Sequence, residues 1–255
     1  MQWTFDYLSR GVAVAGNSPR VNRELRVMAA AALGLKGDQL EKMIPLLSNY
    51  YPVSSKAIHQ PQMIDGVIDV GCFGAFRPLK NHLIQAIAAI DFSERRGLKL
   101  RFHVNSGRVE MAGGNQLKNL RALFDNVNHE LVEHPWAAHE DFLKLLNQMD
   151  ICLQVSFTET FNIVSADSVN LGVPTLVSDE INWVHAPYAD PTSSTDIVEK
   201  MAQVLTQRHY LIEKNRENLA AYSRQSNSRW LSYLNEDLTG HGLNLDVLFS
   251  RFFGN

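Results

Sequence analysis

Short apolar runs alternate with amphipathic segments through the middle of this 255-residue chain. The first run, VIDVGCF (67–73), predicts a buried strand, and KNHLIQAIAAID (80–91) follows it with apolar residues at helical spacing. Further strands are predicted at 98–104, 129–134, 151–157 and 175–178, and further helices at 115–127, 139–150, 161–172 and beyond Thr195. This alternation predicts a doubly wound α/β fold, in which helices cover both faces of a parallel sheet.

Ligands of such sheets bind beyond the carboxyl ends of the strands. The segments that follow the predicted strands are therefore the first places to look for a site: 72–81, 105–110, 134–139, 156–162 and 178–185.

The first sixty residues predict a small, separate βαβ unit. GVAVAG (11–16) is predicted to be a strand, and KMIPLLSNYYP (42–52) a second strand that runs into a turn. Between them, residues 18–34 predict a helix with Ser18 as its N-cap and Pro19 at its first position. Residues 53–63 are typical of a linker.

Composition narrows the class of protein. Hydrophobic residues make up 45% and charged residues 20%, as in ordinary globular proteins. The net charge of −3, without a basic block, argues against a protein that grips nucleic-acid phosphates. The longest nearly apolar run, 27–35, is far shorter than the ~18 residues of a membrane span. We see no signal peptide, and we expect Cys72 and Cys152 to be reduced thiols in a cytoplasmic protein.

The segment VSFTETFNIVSADSVNLGVPTLVS (155–178) is the most informative part of the chain. A predicted strand ends at Phe157, a polar turn contains Glu159, and a helix begins near Asn162, where backbone N–H groups form an anion site. Asp167 lies about two turns into that helix, where aspartate is unfavourable. Either the two carboxylates bind a ligand, or Glu159 complements the helix dipole and Asp167 is structural.

This segment resembles the donor-site signature of the retaining GT-B glycosyltransferases (group 1), Glu-x-Phe-Gly-x4-Glu followed by Gly-x-Pro. The acidic residues of the signature fall on Glu159 and Asp167, its aromatic residue on Phe161, and its later glycine and proline within 172–174. The chain departs from the signature twice, because Asn162 replaces the glycine and Asp167 is one methylene shorter than glutamate.

The loop DVGCFGAFRPLKN (69–81) resembles the Gly-Arg…Lys loop of the same family, whose cations hold the donor diphosphate. Lys80 matches the family lysine, whereas Cys72 stands where an arginine is usual, so we assign the arginine's role to Arg77. Fixed cations of this kind stabilise the charge on a departing nucleoside diphosphate. A solvated loop and helix start is the alternative interpretation.

The resemblance covers roughly residues 42–235 and implies three parts of the chain. These are the remnant of an N-terminal Rossmann-like domain with its linker (1–58), a nucleotide-sugar donor-binding domain (59–225) and a C-terminal helical segment (226–255). The acceptor domain of the family is mostly missing, and the predicted strand 11–16 has an open edge. We therefore expect self-association or a partner that supplies the acceptor domain.

The function implied by the resemblance is transfer of a sugar from a nucleoside-diphosphate sugar with retention. Neither a metal nor another cofactor is expected, because side-chain cations replace the metal. The implied catalytic residues are Arg77, Lys80 and Glu159. The implied donor-binding residues are Gly74, Asn105, His134, Trp136, Thr160, Phe161, Asn162, Ile163 and Asp167. The alternatives are a non-catalytic nucleotide-sugar-binding or scaffold protein, and a sugar-nucleotide epimerase or hydrolase.

Other candidate sites have weaker support. His134 and His139 lie five apart across a proline and share no helical face, so they do not predict a metal site. Cys72 could act as a nucleophile only if its pKa were lowered, and Lys80 is the one cation expected nearby. Arg108 follows the second strand of the predicted sheet and either contacts donor phosphate or belongs to a surface loop.

Overall fold

The computed structural model describes residues 2–54 and 66–239, with side chains described as far as residue 235. The chain divides into two compact units. Among the described residues, the N-terminal unit consists of 2–52 and 221–239, and the sheet unit of 53–54 and 66–220. The predicted division into three parts stays a prediction, and most of the predicted linker lies outside the described residues.

The N-terminal unit contains three short helices in its first 52 residues: α1 (Gln2–Ser9), α2 (Pro19–Leu33) and α3 (Asp38–Met43). The prediction for α2 is confirmed, because the Ser18 side chain accepts a hydrogen bond from the N–H of Val21 and Pro19 occupies the first turn. Leu8, Ala29 and Ile44 form the buried core of this unit.

The predicted strands 11–16 and 42–52 are wrong, and so is the βαβ unit built on them. A single parallel bridge joins Gly16 to Leu46. Residues 38–43 are taken up by α3, and Pro45 lacks the N–H that a strand pair would need. The open strand edge therefore gives no support to self-association, which stays a prediction.

The sheet unit contains a five-stranded parallel sheet in the order β3-β2-β1-β4-β5. Its strands are β1 (Val67–Gly71), β2 (Lys99–Asn105), β3 (Glu130–His134), β4 (Ile151–Gln154) and β5 (Thr175–Val177). Each lies within one or two residues of a predicted strand, except that β4 ends three residues early. The doubly wound α/β fold is therefore confirmed.

Helices cover both faces of this sheet. They are α4 (His82–Arg95), α5 (Gly114–Phe124), α6 (His139–Leu146), α7 (Ile163–Leu171) and α8 (Ser194–Thr206). A further long helix, α9 (Arg208–Thr239), begins in the sheet unit. The main core joins apolar strand residues such as Val70 and Phe102 to α4, α5 and α8. A second core around Met149 and Cys152 packs the other face against α6 and α7. Because all five strands are parallel, the loops after β1, β2, β3 and β4 meet at one edge.

Candidate functional site

Lys80 and Glu159 form an ion pair at the carboxyl edge of the sheet. Lys80 ends a 3₁₀ turn (Pro78–Lys80) in the loop after β1, and Glu159 lies between β4 and α7. The Lys80 Nζ lies 2.9 Å from the Glu159 Oε2, and the two side chains are only 11% and 13% exposed. Two sequence signatures 79 residues apart are therefore brought into direct contact.

Gln85, a fully buried residue of α4, fixes the position of Lys80. Its side-chain amide donates to the carbonyl of Lys80 at 2.9 Å, and its Oε1 accepts from the N–H of Val155 at 2.8 Å. The N–H of Phe157 donates to the carbonyl of Leu79. The lysine turn is thus bonded to the chain that continues from β4 towards Glu159.

Asn162 fixes the position of Glu159. Its amide nitrogen lies 3.1 Å from the Glu159 Oε2 and 2.9 Å from the Gln154 Oε1. Its Oδ1 accepts from the N–H of Ser165 at 2.8 Å and so caps α7. The φ of Asn162 is +56°, a left-handed value that asparagine tolerates better than most residues. The asparagine therefore keeps a backbone that suits glycine and adds a cap and a bond to Glu159.

We expect Asn162→Ala to destabilise the protein more than Asn162→Gly. Alanine loses the cap, worth about 1 kcal/mol, and also strains the left-handed backbone by about 1–2 kcal/mol. Glycine loses the same side-chain bonds without the strain. Thermal unfolding should rank the melting temperatures as wild type, then glycine, then alanine. An alanine variant as stable as the glycine variant would contradict the role assigned to the backbone.

The start of α7 offers backbone donors beside this pair. Helix geometry leaves the N–H groups of Ile163 and Val164 without intrahelical carbonyls, and the helix dipole makes this end attractive to anions. Thr160 is half-buried in the preceding turn. Phe161 is buried, its ring stacks on Trp183 at 5.5 Å, and its carbonyl accepts from the Trp183 indole. Phe161 therefore packs against Trp183 in the protein interior.

A cavity of about 220 Å³ opens at the same edge. Apolar groups make up most of its wall, which is formed by Gly74, Asn105, Trp136, Ala137, His139, Phe142, Ile163, Val164 and Asp167. Five of the predicted donor-binding residues are among them. Gly74, whose φ of +116° requires glycine, donates its N–H to the Asn105 Oδ1 at 3.1 Å. Among the described residues, His134, Thr160, Phe161 and Asn162 do not line this cavity.

His139 is a cavity residue whose contact the sequence did not predict. Its Nε2 lies 3.1 Å from the Asp167 Oδ1. The Asp167 side chain is almost fully buried, whereas the His139 side chain is 62% exposed. The only signal in the sequence was the position of His139 after the third strand. The contact depends on α6 and α7 being neighbours.

Arg77 lies with the loop after β2. Its Nε is 3.6 Å from the Glu110 Oε2, and Glu110 also accepts from Arg108. The Arg108 guanidinium stacks over the ring of Trp136 at 5.0 Å. The structure therefore pairs Arg77 with a carboxylate that the sequence did not single out, and gives it no ion pair with Glu159.

His82, next to Lys80 in space, is a buried and uncharged histidine. Its ring stacks on Phe76 at 4.2 Å. Burial, reinforced by the nearby charges of Lys80 and Arg77, lowers the pKa of His82 to about 3. In the unfolded chain the pKa is close to its ordinary value of about 6.5.

We expect this histidine to make the protein less stable in acid. Below about pH 6.5 the unfolded chain binds a proton that the folded chain refuses, so the unfolding free energy falls as the pH falls towards 3. Between pH 7 and pH 5 the loss from this one group is about 2 kcal/mol. Denaturant unfolding at pH 7 and at pH 5 should show a smaller loss of unfolding free energy in His82→Gln than in the wild type. Equal losses of unfolding free energy between pH 7 and pH 5 in the wild type and in His82→Gln would contradict this account.

The structure gives no support to a nucleophilic cysteine. Cys72 is buried, and burial raises the pKa of its thiol far more than Lys80 lowers it. Within residues 2–54 and 66–239, no group of three or more His, Cys, Asp or Glu side chains is arranged to hold a metal ion. No helix in the same residues is long and apolar enough to cross a membrane.

Comparison with known proteins gives a likeness in structure alone. No protein-family model and no curated protein matches the sequence. A mutant of S. aureus TarM, solved in complex with Fondaparinux, α-GlcNAc-glycerol and UDP, is 12% identical with a TM-score of 0.65; the match covers 88% of this chain and 44% of that one. The GtfA/B complex is 11% identical with a TM-score of 0.63, covering 92% and 47%. The N-terminal domain of Candida albicans trehalose-6-phosphate phosphatase is 13% identical with a TM-score of 0.64, covering 88% and 58%.

These identities are too low to show more than a shared fold, and the chain spans about half the length of the structures it matches. The likeness agrees with the resemblance that the Glu159–Asp167 signature and Lys80 indicated. Over the matched residues, the protein has the Rossmann-like α/β fold found in GT-B glycosyltransferases.

Proposed function

We propose that this chain binds a nucleoside-diphosphate sugar and serves as the donor-binding half of a retaining glycosyltransferase. The observation that carries the proposal is the contact between Lys80 and Glu159 beside the start of α7. A cation, a carboxylate and free helix N–H groups come together at the edge where parallel sheets bind their ligands. The presence of UDP in the TarM structure supports a nucleotide ligand for this fold.

In this proposal the diphosphate binds between Lys80 and the N–H groups of Ile163 and Val164. These groups are fixed before the ligand arrives, so they stabilise the negative charge that grows on the leaving diphosphate. Glu159 accepts hydrogen bonds from hydroxyls of the transferred sugar. The phosphate then replaces Glu159 as the main partner of Lys80, and the carboxylate stays fixed by Asn162.

The nucleoside occupies the cavity beside this pair. Asp167 exchanges its bond to His139 for bonds to the ribose hydroxyls, and Trp136 flanks the base. Arg77 binds the diphosphate only after its side chain has broken its ion pair with Glu110. No metal is part of the proposal, and the leaving phosphate accepts the proton of the acceptor hydroxyl.

The acceptor is proposed to be positioned by a partner or by a second copy of the chain. This part of the proposal extends the resemblance to a family in which a separate domain positions the acceptor. Orientation of two reactants can supply ~7–11 kcal/mol of a barrier, so the isolated chain should bind donor but transfer slowly. Light scattering with and without donor tests association. A strictly monomeric and fully active transferase would contradict this part of the proposal.

A thermal-shift screen against nucleoside-diphosphate sugars tests the function itself. A ligand present at 100 times its dissociation constant stabilises the folded state by ~2.7 kcal/mol. Stabilisation by one sugar nucleotide, followed by sugar transfer when acceptors are added, is the expected result. Release of nucleoside diphosphate without an acceptor would favour the hydrolase alternative, and binding without any turnover would favour the scaffold. A screen in which no nucleotide stabilises the protein would refute the proposal.

A further inference from the structure

Four polar side chains cross three strands on one face of the sheet. Along β1 and β2, Ile68, Val70, Leu100 and Phe102 point into the main core, so the alternating residues Asp69, Arg101 and His103 point to the opposite face. His134 is the register partner of Asn105, which has the same parity as His103, and it therefore shares this face. None of these four residues belongs to the Lys80–Glu159 pair.

The four side chains form a continuous hydrogen-bonded row. The Arg101 guanidinium donates to both oxygens of Asp69. The Asp69 Oδ1 lies 2.8 Å from the His103 Nε2, and the His103 Nδ1 lies 2.9 Å from the His134 Nε2. The two imidazole rings are stacked within 10° of parallel. The His103 side chain, in the middle of the row, is only 9% exposed, whereas that of Arg101 at one end is 46% exposed.

The hydrogen bonds along the row determine which nitrogen of each neutral imidazole ring carries the proton. Burial opposes the charge on Asp69, but hydrogen bonds from His103 and Arg101 outweigh it and keep the pKa of this carboxyl below its ordinary value. The carboxylate only accepts, so the Nε2 of a neutral His103 must carry the proton and its Nδ1 must accept. The His134 Nε2 then donates, which leaves a lone pair on the His134 Nδ1.

That lone pair faces outwards. Within the described residues the His134 Nδ1 has no hydrogen-bond partner, yet it is not among the buried polar atoms that lack one. It therefore reaches solvent. His134 ends β3 two positions before Trp136, which lines the cavity, and it is the register partner of Asn105, which lines the same cavity.

We propose that Asp69, His103 and His134 form a proton relay whose outer end, the His134 Nδ1, accepts a proton from a ligand hydroxyl or N–H group at this edge of the sheet. An N–H bond forms at the His134 Nδ1 and the Nε2–H bond of the same ring breaks. The released proton bonds to the His103 Nδ1. The ligand keeps the electron pair and a negative charge, and the positive charge comes to rest on His103 against the Asp69 carboxylate.

Other charges around the row set its electrostatic balance. The Asp150 carboxylate accepts a hydrogen bond from the backbone N–H of Asp69, and burial raises the pKa of Asp150. Glu130 of β3 acts on Arg101. Glu133, from the same strand, accepts a hydrogen bond from Arg121 of α5. His139 and Asp167 face the cavity from α6 and α7. The relay does not depend on nucleotide-sugar binding, because it follows from the row alone.

Nitrogen-15 NMR of the imidazole rings tests the relay on the whole chain without any ligand. At pH 8 we expect both rings to carry their proton on Nε2. As the pH falls, the first proton taken up should leave His103 doubly protonated and His134 with its proton on Nδ1. Single His103→Gln and His134→Gln variants assign the signals. A His134 that carries its proton on Nδ1 at pH 8, or that becomes doubly protonated before His103, would overturn the proposal.

Asp69→Asn removes the carboxylate that stabilises the charge on His103. The proton affinity of the pair should fall at least ~tenfold, which moves the midpoint down by one pH unit or more. Glu133→Gln is the matched control, since it removes a carboxylate of β3 that is bonded to Arg121 instead of the row. An unchanged midpoint in a folded Asp69→Asn protein would overturn the relay. If that variant does not fold, the proposal is tested by the nitrogen-15 assignment of the histidine tautomers in the wild type.

Discussion

Replacing Lys80 with alanine is expected to weaken nucleotide-sugar binding at least ~tenfold. A hydrogen bond between a charged lysine and a phosphate is worth about 1.5–3 kcal/mol, and about 1.4 kcal/mol corresponds to a factor of ten. The Lys80 side chain is only 11% exposed and its Nζ is already held by Glu159, so the bond to phosphate is made in a partly desolvated place without much loss of side-chain freedom. Titration calorimetry measures the affinity directly.

The same substitution also lowers stability, and the two effects need to be separated. Without Lys80, the Glu159 carboxylate loses its ion-pair partner in a place that is only 13% exposed. The double variant Lys80→Ala/Glu159→Gln removes that charge and should recover stability but not nucleotide binding. Lys144→Ala is the matched control, because Lys144 pairs with Asp141 on an exposed surface. Unchanged affinity in a folded Lys80→Ala protein would remove the lysine from the site.

Replacing Glu159 with glutamine is expected to abolish the preference for a nucleoside-diphosphate sugar over the bare nucleoside diphosphate. The carboxylate accepts sugar hydroxyls in the proposed complex, and a charged hydrogen bond of this kind is worth about 1.5–3 kcal/mol, or roughly ten- to a hundredfold in affinity. Glutamine keeps the shape of the side chain and its contact with Asn162. Binding of the bare nucleotide should change little, and sugar transfer should be lost.

Asp167→Asn is the comparison for this prediction. Asp167 lines the cavity proposed for the nucleoside, so its loss should weaken the bare nucleotide and the sugar nucleotide alike. Competition binding with both ligands distinguishes the two variants. Equal losses for the two ligands in Glu159→Gln would show that Glu159 does not contact the sugar. An Asp167→Asn variant that only melts earlier would favour a structural role for Asp167.

The parallel sheet, with Lys80 and Glu159 at its carboxyl edge, was predictable from the apolar pattern of the strands. All residues of β4 and β5 are buried, so the apolar runs of these strands are visible in the sequence. Once the strands are parallel, the loops after β1 and β4 must meet at one edge. Lys80 and Glu159, 79 positions apart, are direct neighbours because β1 and β4 also pair side by side, an order that the sequence did not predict.

In the N-terminal unit, α2 was predicted from its helix-start signals, but α1 and α3 were not predicted and two strands were predicted in error. The short apolar run 11–16 fits a strand or a loop equally well, and the choice depends on whether another strand is available to pair with it. Here the backbone of Val14 bonds to Met43 and that of Gly16 to Pro45, but no ladder forms. The predicted strand at 11–16 was wrong because an apolar run forms a strand only where another strand is available to pair with it.

The side-chain partners inside the site were also out of reach. Glu110 holds Arg77 and Arg108 because the loop after β1 pairs with the loop after β2 at Phe76 and Val109. The row from Arg101 to His134 depends on the register of three strands. A sequence places such residues on a strand, but it does not state which residue of the neighbouring strand lies opposite.

A nitrogen-15 backbone titration with a nucleoside-diphosphate sugar tests most directly the claim that the diphosphate binds between Lys80 and the start of α7. The account predicts that the largest amide shifts fall on Ile163 and Val164 and on the residues that flank Lys80, and that the Lys80→Ala protein needs at least ~ten times more ligand to reach them. Shifts confined to other parts of the chain, or shifts at α7 that are the same with and without Lys80, would contradict it.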